Sequence, residues 1–133
     1  MRQTTNNRKK LLLVEDEPVI GRLFERILRA EGFDVDFVQD GRIALEAVNK
    51  KHYDLCVSDI RLPGMTGIQL YERLKESHPE LSLNMIFITG DTMNASIQLF
   101  LKESGMPCLV KPFNPEELVV AVKGLLKKDS LHS

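Results

Sequence analysis

Apolar positions along this chain switch repeatedly between a run period and a helical period. Leu11 to Val14 is a short unbroken apolar run of the kind a buried strand needs. Pro18 then suits a first helical turn, and Ile20, Leu23, Phe24, Ile27 and Leu28 form a helical stripe closed by Gly32. Asp34 to Val38 alternates polar and apolar residues, which predicts a more exposed strand. Asp40 is placed to cap a helix carrying Ile43, Ala44, Ala47 and Val48. Leu55 to Ser58 reads as a third strand, and Pro63, Gly64 and Gly67 mark the loop after it. Thr66 and Gln69 have capping-box spacing ahead of Leu70, Tyr71 and Leu74, and Pro79 follows that helix. Met85 to Ile88 is a fourth strand, and a helix with Ile97, Phe100 and Leu101 ends near Gly105. Cys108 to Val110 is a fifth strand. Asn114 and Pro115 then open a last helix through Val119, Val122, Leu125 and Leu126.

Five strand–helix alternations predict βαβ units and a mostly parallel sheet covered on both faces. The units take up residues 10–128 as one domain, with a basic tail over 1–9 and a short tail over 129–133. No residues remain for an output domain within this sequence, and no internal repeat is visible.

Composition narrows the function. Over 133 residues the net charge is -1, so no basic excess argues for nucleic acid. The apolar runs are too short to span a membrane, and the N-terminus lacks the apolar core of a signal peptide, so a cytoplasmic location is the default expectation. Cys56 and Cys108 sit in separate apolar runs with no CxxC pairing, and His52, His78 and His132 are isolated.

In a doubly wound sheet, ligands gather at the carboxyl ends of the strands near the switch in strand order. The residues there are Glu15, Asp16 and Glu17 after strand one, Asp59 after strand three, Thr89 after strand four and Lys111 after strand five. Each alone has an ordinary structural reading: a turn aspartate, acids at a helix start, a capping threonine, a solvated lysine. Together they are chemically matched. Crowded carboxylates oppose one another's ionisation unless a cation is present. Oxygen ligands of this kind suit Mg²⁺, which takes one or two carboxylates, waters and phosphate oxygens. Lys111 adds a compact positive charge and Thr89 a hydroxyl donor, so the set can place a phosphoryl group on Asp59 as nucleophile.

Four stretches carry a resemblance: Val14-Glu15-Asp16-Glu17-Pro18, Ser58 through Gly67, Phe87-Ile88-Thr89-Gly90 and Val110-Lys111-Pro112-Phe113. In this order they resemble the signature stretches of response-regulator receiver domains, over roughly residues 10 to 127. The resemblance implies a flavodoxin-like (βα)5 fold with strand order 2-1-3-4-5. It implies Asp59 as phospho-acceptor, Thr89 as switch hydroxyl and Lys111 as phosphate-pairing lysine. For Mg²⁺ or Mn²⁺ it implies Asp16, Asp59 and the backbone carbonyl of Arg61 as ligands, with Glu15 acting mainly through water. It implies a cis Lys111-Pro112 bond. The partners implied are a histidine kinase or its phosphotransfer domain and a transient homodimer, with no nucleic acid or membrane. A receiver is a signalling module that catalyses only its own phosphorylation and dephosphorylation.

The implied strand order keeps the two cysteines apart. Strands three and five would be separated by strand four, so their backbones lie about 10 Å apart, beyond disulfide reach. One residue departs from the family pattern: Cys108 stands where an aromatic commonly reports phosphorylation. Arg61 and Asp91, two residues past Asp59 and Thr89, carry opposite charges that can meet across the mouth of the pocket.

Other chemistries fit less well. A flavodoxin-type electron carrier would not place Glu15-Asp16-Glu17 in its phosphate loop, and this chain has no Trp to stack on a flavin. A haloacid-dehalogenase-type phosphatase needs an acid where Arg61 stands, and a histidine kinase needs a glycine-rich nucleotide loop that is absent. The alternative that survives is a non-phosphorylated pseudo-receiver acting as a protein-binding module. The stretch from Ile88 to Phe113 also resembles receivers attached to hybrid sensor kinases, while a free-standing or larger regulator would read almost alike.

Overall fold

The computed structural model describes residues 8–131. Five parallel strands form one sheet in the order β2-β1-β3-β4-β5. They are β1 (Lys10–Val14), β2 (Asp34–Val38), β3 (Leu55–Asp59), β4 (Met85–Thr89) and β5 (Cys108–Val110). The helices are α1 (Pro18–Ala30), α2 (Gly41–Lys50), α3 (Gly67–Ser77), the single turn α4 (Pro79–Ser82), α5 (Ala95–Ser104) and α6 (Pro115–Leu131). This is the flavodoxin-like order expected from the sequence. The tail expected over residues 1–9 lies outside the described residues except for Arg8 and Lys9, and Lys9 already accepts a backbone bond from Asp34 (2.9 Å). At the other end α6 continues to Leu131, past position 128.

Side chains alternate across the sheet with period 2 and supply two cores. Leu12, Val14, Cys56, Met85 and Phe87 face α2, α3 and α5. Leu11, Leu13, Leu55, Val57, Ile86 and Ile88 face α1 and α6. Because β1, β3 and β4 are covered on both sides, their residues are buried throughout apart from Lys10. The anticipated caps form. Asp40 accepts from the Arg42 and Ile43 amides, Thr66 and Gln69 make a reciprocal capping box, and Asn114 and Glu117 do the same at α6.

Two apolar residues assigned to buried stripes face solvent instead. Leu23 is 50% exposed and Ile43 is 49% exposed. In α1 the buried arc is set by Gly21, Phe24 and Leu28. The ring of Phe37 rests where a Gly21 Cβ would be, which draws this face toward β2. At about 100° per residue, Leu23 then lies roughly 130° from the centre of the arc. Ile43 is likewise turned away from Gly41, Ala44 and Val48. The single turn α4 leaves no apolar stripe in the sequence; Pro79 opens it and Ser82 Oγ closes it by donating to the Pro79 carbonyl (2.7 Å).

Candidate functional site

The strand order reverses at β1, which has β2 on one side and β3 on the other, and the chemistry lies at the carboxyl ends of these strands. Val14 pairs with Ser58, so the residues that follow, Glu15 and Asp59, stand side by side at the carboxyl ends of β1 and β3. Glu15 is held by a backbone bond from its amide to the Val38 carbonyl (3.1 Å). Asp59 is fixed from behind. The Ile60 amide donates to the Ile88 carbonyl (2.9 Å), and the Gly67 amide donates to the Ile60 carbonyl (2.9 Å). A side chain at Gly67 would collide with the Asp59 carbonyl, so only glycine lets α3 begin this close to the site.

One oxygen from each of Glu15, Asp16 and Asp59 falls within a 4.8 Å cluster. Glu15 is fully buried and Asp59 nearly so, while Asp16 is open to solvent. Lys111 Nζ donates to Asp59 Oδ2 at 2.8 Å and lies 3.7 Å from Glu15 Oε1. Glu15 Oε2 accepts from the Glu17 amide (3.0 Å), but Oε1 has no hydrogen-bond partner among the described residues. That orphaned buried oxygen belongs to a carboxyl clustered with two others, and a bound cation would satisfy it directly or through water. Burial pushes the Glu15 carboxyl from 4.5 up to about 7; the charge of Asp59 adds to the rise, and the Glu17 amide and Lys111 oppose it. For Lys111, burial acts downward, but the bond to Asp59 and the attraction of Asp59, Glu15 and Asp16 outweigh it, and the net shift is upward.

Of the residues singled out in the sequence, Glu15, Asp16, Asp59 and Lys111 therefore converge. Thr89 ends the neighbouring strand, is 2% exposed, and its Oγ1 accepts from the Asp91 amide (3.0 Å). Arg61 donates its amide to Asp59 Oδ1 (3.1 Å) and sends its guanidinium to Asp91 Oδ2 (2.6 Å), so the two opposite charges meet. Lys111-Pro112 is cis. Sequence reasoning did not find the Glu17 amide that orients Glu15, since a backbone donor leaves no trace in residue type. Both cysteines are free, Cys56 buried and Cys108 half-buried. Burial raises the Cys56 thiol to about 12 and also raises Cys108.

A fold of this order, with its acidic cluster and lysine at the switch point, defines a class of signalling module, and similarity to known proteins agrees. The chain belongs to the response-regulator family: the family model for the response regulator receiver domain matches residues 11–123. It is 36% identical over 126 residues to the probable transcriptional regulator ycf29 of Porphyra purpurea, covering 92% of this chain and 59% of that one. It is 33% identical to the DNA-binding response regulator MtrA of Mycolicibacterium smegmatis, covering 92% and 52%. The chain thus spans little more than half the length of these curated relatives. Among solved structures, the CheY-like receiver domain protein of Methanospirillum hungatei superposes with a TM-score of 0.88 at 26% identity, covering 96% of this chain and all of that one.

Proposed function

We propose that this domain accepts a phosphoryl group on Asp59 from the phosphohistidine of a kinase or phosphotransfer domain, with a divalent cation required, and that the acylphosphate changes the surface it presents. The observation that carries the reading is Asp59 itself. Its carboxylate is nearly buried, is paired to Lys111 at 2.8 Å and shares a 4.8 Å cluster with two further carboxylates. A structural role alone gives no reason to bury Asp59 beside a second buried carboxyl, Glu15.

In the transfer, an Asp59 oxygen forms the new P–O bond while the P–N bond of the donor breaks, and the imidazole leaves with the electron pair and takes up a proton. Lys111 pairs with the charge on the acceptor and then with a phosphoryl oxygen, and the Thr89 hydroxyl donates to another. Asp16, Asp59 and the Arg61 carbonyl would hold Mg²⁺ or Mn²⁺, with Glu15 reaching it through water. When bound, that cation neutralises the carboxylates and the incoming phosphoryl oxygens.

No helix among the described residues is long and apolar enough to cross a membrane, and we read the domain as cytoplasmic. The DNA-binding activity named for MtrA would belong to a part of such a regulator that this domain does not cover. A hybrid-kinase setting is compatible with the same site.

Intact-mass measurement with a small acyl phosphate tests the reading. The wild type is expected to gain one phosphoryl mass with Mg²⁺ and none with chelator, and Asp59→Asn none in either. An Asp59→Asn variant that gains the mass in the same yield would refute the assignment. A wild type that never gains it would leave the protein-binding module as the function.

A further inference from the structure

We infer that Asp91, clamped by Arg61, is a positioning residue for Thr89: the pair holds the switch hydroxyl in its resting place and opposes its move toward a phosphoryl group. The inference rests on the reading of Asp59 as phospho-acceptor.

Asp91 makes four hydrogen bonds, two of them with the Thr89 hydroxyl. Its amide donates to Thr89 Oγ1 (3.0 Å), its Oδ1 accepts from the Met93 amide (3.2 Å), and its Oδ2 accepts from the Arg61 guanidinium (2.6 Å). Among the described residues, the one other hydrogen-bond partner of the Thr89 hydroxyl is the Asp91 carbonyl at 3.5 Å, so both of its bonds are to the same residue. Arg61 meanwhile donates its amide to Asp59 Oδ1 (3.1 Å). A chain of contacts therefore runs from Asp59 through Arg61 and Asp91 to Thr89.

The segment that carries Asp91 has few other restraints: Gln98 Nε2 donates to the Thr92 carbonyl, and in the helix behind it, α5, Ile97 is buried while Phe100 and Leu101 are partly so. A loop with so few buried anchors moves at low cost, and a link to the neighbouring loop biases where it rests. A phosphoryl group on Asp59 competes for both ends of that link. It offers the Arg61 guanidinium a second anion, and it offers Thr89 an acceptor that draws it off the Asp91 amide. The bridge thus favours the unphosphorylated arrangement, and its loss shifts the population toward the other.

The bridge is open to solvent, with side-chain exposures of 68% for Arg61 and 33% for Asp91, so its effect is modest. Asp91→Asn isolates it, because the amide to Thr89 and the side-chain oxygen facing the Met93 amide are both kept. Beryllium fluoride with Mg²⁺, a phosphoryl mimic, is the probe, titrated against four proteins: wild type, Asp91→Asn, Arg61→Ala and the double variant. Asp91→Asn is expected to bind the probe about two- to fivefold tighter than wild type, and to bind no differently once Arg61 is already Ala. Without the probe, the Thr89 and Gly90 amide signals of Asp91→Asn should move toward their probe-bound positions. If Asp91→Asn tightens binding equally in both backgrounds, the effect is bulk charge and the inference falls. Unchanged or weaker binding in the wild-type background overturns it as well. A wild type that binds no beryllium fluoride would instead fail the phospho-acceptor reading, and the inference with it.

Discussion

Lys111 Nζ lies 2.8 Å from Asp59 Oδ2, joining the end of β5 to the end of β3 across the intervening strand. The lysine offsets a charge that burial would otherwise penalise.

Replacing Lys111 with Met should therefore separate metal binding from phosphorylation. The carboxylates lose a competing cation, so Mg²⁺ should bind at least as tightly as in wild type. Phosphoryl uptake should fall by about tenfold or more, since one charge-assisted contact to the transferred group is worth roughly 1.5–3 kcal/mol. Mg²⁺ titration and intact mass on the same variant check this. Parallel loss of both would mean that the lysine only holds the pocket together.

Glu15 makes the metal-free domain sensitive to pH. Its carboxyl rises from 4.5 in the unfolded chain to about 7 when folded, chiefly through burial. A raised folded value gives stability that is fully present below 4.5 and is lost as pH climbs through the folded value, because the unfolded chain ionises first. Metal-free protein should melt at a higher temperature at pH 5 than at pH 7.5, by an amount on the order of 2–3 kcal/mol in stability from this group. Glu15→Gln should flatten the profile over that window. Mg²⁺ at millimolar concentration should raise the melting temperature of wild type most at the upper end, where the carboxylates are charged. Thermal melts across the pH range decide it, and equal midpoints with and without Mg²⁺ at pH 7.5 would count against the site.

Most of this site was readable from residue type and spacing because strands deliver chemistry at their ends. Once the alternation placed Glu15, Asp16, Asp59, Thr89 and Lys111 after four different strands, a parallel sheet had to bring them to one edge. Position alone could not say how they pair. The Glu17 amide on Glu15 and the orphaned Glu15 Oε1 follow from backbone geometry. The same limit applies to packing. Leu23 and Ile43 look as apolar as their neighbours, and only the seat of the Phe37 ring over Gly21 explains which arc of α1 turns inward.

Gly67 illustrates a requirement that is steric and lies outside the chemistry. Any Cβ there meets the Asp59 carbonyl and the Ile60 Cα. Gly67→Ala should cost about 1–3 kcal/mol through overpacking, read by urea unfolding. Phosphoryl uptake should also fall under conditions where the variant is fully folded, because the displaced junction is the one that carries Asp59. Unimpaired uptake in a destabilised variant would show that the junction yields on the α3 side instead.

The last prediction concerns how far a change at Thr89 travels. The residue in register with Phe87 on β5 is Cys108, which has no ring to rotate. The rings nearby are already committed. Phe100 of α5 packs edge-on against Phe87 (5.1 Å between centroids) and Tyr71 (5.3 Å), and Phe113 stacks on Phe24 of α1 at 5.4 Å. Phe87 and Thr89 are two residues apart on β4 and share a face of the sheet, so Phe100 is the ring best placed to register a shift at Thr89. Phe113 belongs to the opposite core. A phosphoryl mimic should therefore move amide signals from Thr89 through the first turns of α5, with smaller changes near Tyr71. Signals of Cys108 and α6 should stay nearly still. Phe100→Leu should shrink the α5 response while leaving the Thr89 response intact, because it removes the contact and keeps the buried volume apolar. Large shifts running through Cys108 into α6 would show that β5 transmits the change without an aromatic, and an undiminished α5 response in Phe100→Leu would remove Phe100 from the path.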